Sequence, residues 1–226
     1  MTTPEKLLEM AAEHARGTLS VIYPPVSHKN GLPEQLISLC FAHAVRAEKG
    51  VTVLEMRFGN GSKAANALDV CAVLGDVLMP LESKRVDSNA ALHDFAADAA
   101  RLCEPARQRS ILERINPTAG VKTLRAAVLA ELWVSAAGSR PFSRARDWAA
   151  ELAAKGGVIT ACADFEGKAL SGLDGYTMYA PVHVLTYNCG PDRPADQLWY
   201  VLATRDFDVA GLGTAEGGFL APLRNA

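Results

Sequence analysis

Apolar residues recur along this chain in two rhythms. Over residues 7–15 and 32–48 they return every three or four positions, as on helices that bury one stripe. In the second stretch the stripe is Leu36, Leu39, Cys40, His43 and Ala44, and Lys49-Gly50 ends it, with glycine just past the last turn. Residues 21–30 hold Pro24, Pro25 and an Asn-Gly step and read as a loop. Residues 51–56 (VTVLEM) are a short β-branched run, the pattern of a buried strand. They lead through 57–62 (RFGNGS) into 63–78, whose spacing predicts a helix. A strand is predicted over 77–81, ending on Glu82, followed by a helix over 88–103. Then come a strand over 110–115, a helix over 121–130, a strand over 132–136 and a helix over 143–154. After Lys155-Gly156-Gly157 a fifth strand covers 158–163. Two longer runs, 176–187 and 197–204, flank a turn rich in Gly, Pro and Asp and predict an antiparallel pair.

Alternating strands and helices imply an α/β fold. The expected architecture is a Rossmann-like, doubly wound and mostly parallel sheet, closed by a C-terminal antiparallel pair and preceded by an N-terminal helical extension. Residues 1–30 form that extension and residues 31–226 a single domain. Ligands of such sheets bind beyond the carboxyl ends of the strands.

Composition narrows the class. The apolar and charged fractions are those of a globular protein. The formal net charge of −2 gives no general attraction to nucleic acid or membranes, so nucleic acid is not a favoured partner. No run approaches the roughly 18 apolar residues of a membrane helix, and Glu5, Glu9 and Glu13 argue against a signal peptide. The five cysteines are widely spaced with no C-x-x-C pair, which fits buried thiols in a reducing, cytoplasmic setting and no metal site. Charge is uneven: eight bases against two acids between Arg107 and Arg146 suggest a basic face for a phosphate-bearing or acidic partner.

Residues 53–61 (VLEMRFGNG) resemble the first motif of class I S-adenosylmethionine-dependent methyltransferases: a hydrophobic strand, an acid (Glu55), then alternating glycines, of which Gly59 and Gly61 are present. The resemblance implies S-adenosylmethionine as cofactor. Gly59, Asn60 and Gly61 would sit at its methionine side, Glu82 and Ser83 at the ribose, Asn116 at the adenine, and Ser135 where the fourth strand delivers its reactive edge. Arg57 replaces the first glycine, and Ser135 replaces the usual acid, so no catalytic metal is implied. Candidate catalytic groups are His28 and Tyr23 in the first loop, with Ser135 and Arg140 after the fourth strand. The acceptor would be a small molecule or a phosphate-bearing compound, and a homo-oligomer is compatible with the pattern. The alternative is a methyltransferase-like domain without catalysis that binds or assembles, using Arg140, Arg144 and Arg146; NAD is disfavoured by the missing G-x-G-x-x-G spacing. His183 with Cys189 is a further nucleophile–base pair to weigh, lacking an orienting acid.

Overall fold

The computed structural model describes residues 2–22, 34–57, 67–115, 120–134, 144–187 and 195–212. Helices α1 (Pro4–Ile22) and α2 (Glu34–Ala47) come first. Strands β1 (Val51–Arg57), β2 (Ala67–Leu74) and β3 (Val77–Val86) follow as a meander. Helices α3 (Asn89–Leu102) and α4 (Pro105–Ile115) then carry the chain over to β4 (Thr123–Val134). After α5 (Ala145–Ala154) come the two-residue strands β5 (Cys162–Ala163), β6 (Ala169–Leu170) and β7 (Thr177–Met178). The chain closes with β8 (Val182–Tyr187), the long β9 (Asp196–Asp208) and the single turn α6 (Val209–Leu212). The main sheet runs β1-β2-β3-β4-β9-β7, with β8 also on β9, and β5 and β6 form a separate hairpin.

The α/β class and the antiparallel close of the sheet match the sequence reading; the mostly parallel sheet does not. Among the described strands only β3 and β4 pair parallel, and every other pairing is antiparallel. A parallel step needs a crossover, and α3 with α4 supplies the one between β3 and β4. The stretch read as a helix over 63–78 contains β2, turned directly into β3 by Gly75-Asp76 (Gly75 φ +62°). Glycine at the first of two turn residues tolerates that φ and matches strand twist, which makes a tight hairpin. Residues 110–115, expected as a strand, lie in α4, where Pro105 stands in the first turn and lacks only an N–H the helix leaves unbonded. The expected helix over 121–130 and strand over 132–136 are replaced by one strand, β4. Ala126 through Trp133 are all buried, covered on both faces, and a run apolar but for Glu131 has no periodicity to separate strand from helix. Of the strand expected over 158–163, β5 and a single bridge from Val158 to Thr177 form.

Each face of the sheet has its own core. Leu78, Val86, Val128, Ala130 and Leu132 face α3, α4 and α5, with Leu92, Phe95 and Ile111 among the covering side chains. Met79, Leu81, Ala127, Leu129 and Tyr200 face α1 and α2, which pack together over them through Leu8, Leu19, Ile37 and Phe41. Of the expected α2 stripe Cys40 and Ala44 are buried, but Leu39 and His43 are exposed, and Ile37, Ser38, Phe41 and Val45 are buried in addition. Among the described residues no helix is long and apolar enough to cross a membrane.

Candidate functional site

The β2–β3 ladder starts at the Gly75-Asp76 turn and ends at Val70↔Leu81. Beyond that pair, β2 remains bonded to β1 (Met56↔Leu68, Arg57↔Ala67) and β3 to β4 (Glu82↔Val128 through Val86↔Leu132). The two strands part, and Asp69 and Glu82 stand where the notch begins. Backbone N–H and C=O groups freed at such a gap need other partners, and the side chains supply them. Asp69 Oδ2 accepts the backbone N–H of Ser83 at 2.7 Å and its hydroxyl at 2.9 Å. From the other wall, Arg107 of α4 donates to the Ala67 carbonyl at 3.0 Å and to Glu82 Oε1 at 2.6 Å, spanning both strands. On β1, Glu55 falls between the pairs Leu54↔Val70 and Met56↔Leu68 with φ +49°, a kink that interrupts the ladder opposite Asp69.

The notch concentrates negative charge. Burial pushes the Glu82 carboxyl up to about 7, the Asp69 charge adds to this, and the Arg107 guanidinium opposes it. Burial also raises Asp98 of α3, against the pull of Arg101, its hydrogen-bond partner. Arg107 is itself held below its ordinary value by burial, offset by Glu82. Lys84, two residues past Glu82 and so on the same strand face, extends to Glu34 at the start of α2 (Nζ–Oε1 3.8 Å). Its charge also acts on Asp98 of α3.

A second buried acid lies on the opposite face. Glu131 of β4 is fully covered, neither carboxylate oxygen has a hydrogen-bond partner among the described residues, and burial pushes it up to about 8 against the attraction of Arg85. Unfolded Glu titrates near 4.3. Between that value and the folded ones, the native chain keeps protons on Glu82 and Glu131 that the unfolded chain has released. Stability therefore falls as pH rises from about 5 to 8 and levels off above. Glu131→Gln should flatten part of that slope and unfold at a higher temperature than the parent at pH 9. Thermal melts across the range check this, and a parent melting point constant from pH 5 to 8 contradicts it.

Several residues singled out from the sequence fall outside the described residues: Tyr23, His28, Gly59, Asn60, Gly61, Asn116, Ser135, Arg140 and Cys189. Glu82 and Ser83 lie at the notch, and Glu55 lies on β1 between the pairs Leu54↔Val70 and Met56↔Leu68. Glu82 lies inside β3 rather than at a strand end, and it is bonded to Arg107 instead of facing an open ribose site. The strand–glycine turn–helix unit expected around residues 51–78 is replaced, where described, by antiparallel strands. His183 bonds Thr186 at 3.0 Å and meets the Trp199 ring edge-on. The basic stretch does not make one free face: Arg107 is buried, Arg125 pairs with Asp206, and Arg146 pairs with Asp147 and stacks on Trp199.

Asp69, Lys84 and Arg107 were not among the site residues expected from the sequence. One signal was there to be read. Asp69 precedes Gly75 by the same six positions by which Glu82 follows Asp76, so a tight hairpin at Gly75-Asp76 sets the two acids opposite each other. Comparisons with protein-family models, curated proteins and solved structures found no match to this chain.

Proposed function

We propose that this protein is a divalent-cation-dependent hydrolase of phosphodiester bonds, with nucleic acid as its substrate class. The observation that carries the reading is the meeting of Asp69 and Glu82 where β2 and β3 part. Two carboxylates set close in a half-buried notch repel one another, and a cation relieves that repulsion. Their oxygens are hard donors, which suit Mg²⁺ or Mn²⁺. Among the described residues no three His, Cys, Asp or Glu side chains group as a metal cage. Mg²⁺ does not require one: it binds through one or two carboxylates and completes its shell with water and phosphate oxygens. Asp69 and Glu82 would hold the ion, which when bound lowers the pKa of a coordinated water and polarises the phosphoryl oxygens.

The chain's own residues do the rest. The two hydrogen bonds from Ser83 to Asp69 Oδ2 fix that carboxylate and leave Oδ1 to a ligand. Lys84, two residues along β3 from Glu82 and about a quarter exposed, carries a positive charge that can attract a phosphate. Arg107 supplies the positive charge that Glu82 needs without a cation. The local phosphate attraction comes from Lys84 and a bound cation, and so does not depend on net charge.

The methyltransferase reading rests on residues 53–61, with Glu82 and Ser83 as the expected ribose partners. The two readings separate in one experiment. Thermal melts with Mn²⁺, with S-adenosylmethionine and with S-adenosylhomocysteine are followed by incubation with Mg²⁺ and single- or double-stranded DNA and RNA. The expected result is a rise in melting temperature with Mn²⁺ alone, by mass action on the folded state, and cleavage that stops with a chelator. Stabilisation by the sulfur compounds without cleavage favours the methyltransferase reading. No response to any of them favours a binding module.

A further inference from the structure

We infer that Ser38 of α2 is a positioning residue for the metal-binding carboxylate of Asp69, acting through Ser83; the inference rests on the proposed metal-dependent reading of the notch. Ser38 Oγ lies 2.7 Å from Ser83 Oγ, and Ser83 Oγ lies 2.9 Å from Asp69 Oδ2. The direction of the chain follows from proton inventory. An ionised carboxylate only accepts, so Ser83 gives it its single hydroxyl proton. The proton in the 2.7 Å contact then belongs to Ser38, and the order is Ser38 to Ser83 to Asp69.

The sequence context makes this serine conspicuous. It lies on the buried side of α2 beside Ile37, Phe41 and Val45, a position where an apolar side chain would add packing. Both serines are 5 % exposed or less. A hydroxyl so covered is tolerated when it is hydrogen-bonded, and here its partner leads to the notch from the face opposite Arg107. Each hydroxyl polarised by its neighbour donates more strongly to the next acceptor. The result is an Asp69 carboxylate held by Oδ2 alone, with α2 setting its rotation. α2 also brings Glu34, one turn earlier, to Lys84. The same helix therefore meets both Ser83 and Lys84 of β3.

The test measures Mn²⁺ binding by the full-length protein, following the spectroscopic signal of free Mn²⁺, so it does not depend on turnover. Ser38→Ala is expected to weaken Mn²⁺ about tenfold, as removal of a hydrogen bond behind a metal ligand commonly does. Ser38→Thr, which keeps the hydroxyl, is expected to recover most of that loss. Ser83→Ala should weaken binding as much, and the double variant little more than either single one, because the two hydroxyls act in series. Should Ser38→Ala fail to fold, Ser83→Ala and Ser38→Thr carry the test. Parent-like affinity in Ser38→Ala or Ser83→Ala overturns the relay and leaves the metal site standing. Absence of Mn²⁺ binding in the parent protein overturns the metal reading itself, and the relay with it.

Discussion

Replacing Asp69 with asparagine should leave a folded protein whose Mg²⁺-dependent cleavage of nucleic acid falls by roughly two to three orders of magnitude, the scale lost when a group facing developing charge is removed. The side-chain carbonyl of Asn can still accept the Ser83 N–H and hydroxyl, so both bonds that close the notch survive. What disappears is the negative charge beside Glu82. Because the Asp69 charge helps raise Glu82, its removal also lowers the Glu82 pKa and relieves repulsion in the folded state. Melting temperature should therefore hold or rise slightly while activity collapses. Initial rates at saturating Mg²⁺ beside thermal melts measure both. Activity within a few-fold of the parent removes Asp69 from the machinery, and a large fall in melting temperature makes it a structural residue instead.

Arg107→Ala should act in the opposite way, chiefly on stability. Glu82 and Arg107 are both nearly covered, and their 2.6 Å pair is the direct countercharge to a buried carboxylate. Removing one partner of such a pair commonly costs about 3–5 kcal/mol, because the other is left charged and uncompensated. Arg107 also donates to the Ala67 carbonyl, so the variant loses a tie between the parted strands. The pH dependence identifies the cause. Without Arg107 the folded pKa of Glu82 rises further above its unfolded value, and native protonation costs nothing once the unfolded carboxyl is protonated too. The deficit should be largest at pH 8 and shrink towards pH 4. Mn²⁺ should stabilise Arg107→Ala by more degrees than the parent, since a bound cation replaces the missing charge. Denaturant melts at three pH values, with and without Mn²⁺, give all of these. An equal deficit at pH 4 and pH 8 would mean that lost packing, and not Glu82, dominates.

The parts of the fold legible in the sequence were those with a strong period or strong punctuation. α2, α3 and α5 announce themselves by helical spacing, α2 also by Gly50 at its end, and the antiparallel close by its two long β-rich runs around a turn. Failures came where the period vanishes. The buried stretch of β4 is apolar but for Glu131, and β2 is apolar but for Asp69, so neither shows the alternation that marks a half-buried strand. Reading β2 as helix removed the hairpin, and with it the pairing of Asp69 and Glu82. The methyltransferase resemblance assigns Glu82 and Ser83 to a different ligand and gives no role to Asp69 or Lys84.

The sequence by itself determined the class of layers, the long helices, the burial of Cys40 and Cys71, and the presence of acids and bases around residues 69–107. Only the tertiary structure decided which of those charges meet. Local propensity acts over a few residues, whereas Arg107 reaches Glu82 across 25 positions and Ser38 reaches Ser83 across 45. Those contacts exist because the Gly75-Asp76 hairpin and the α3–α4 crossover fix the strand order, and because β2 and β3 part at one register position. Chemistry at the notch follows from that geometry, since a carboxylate's role depends on what faces it.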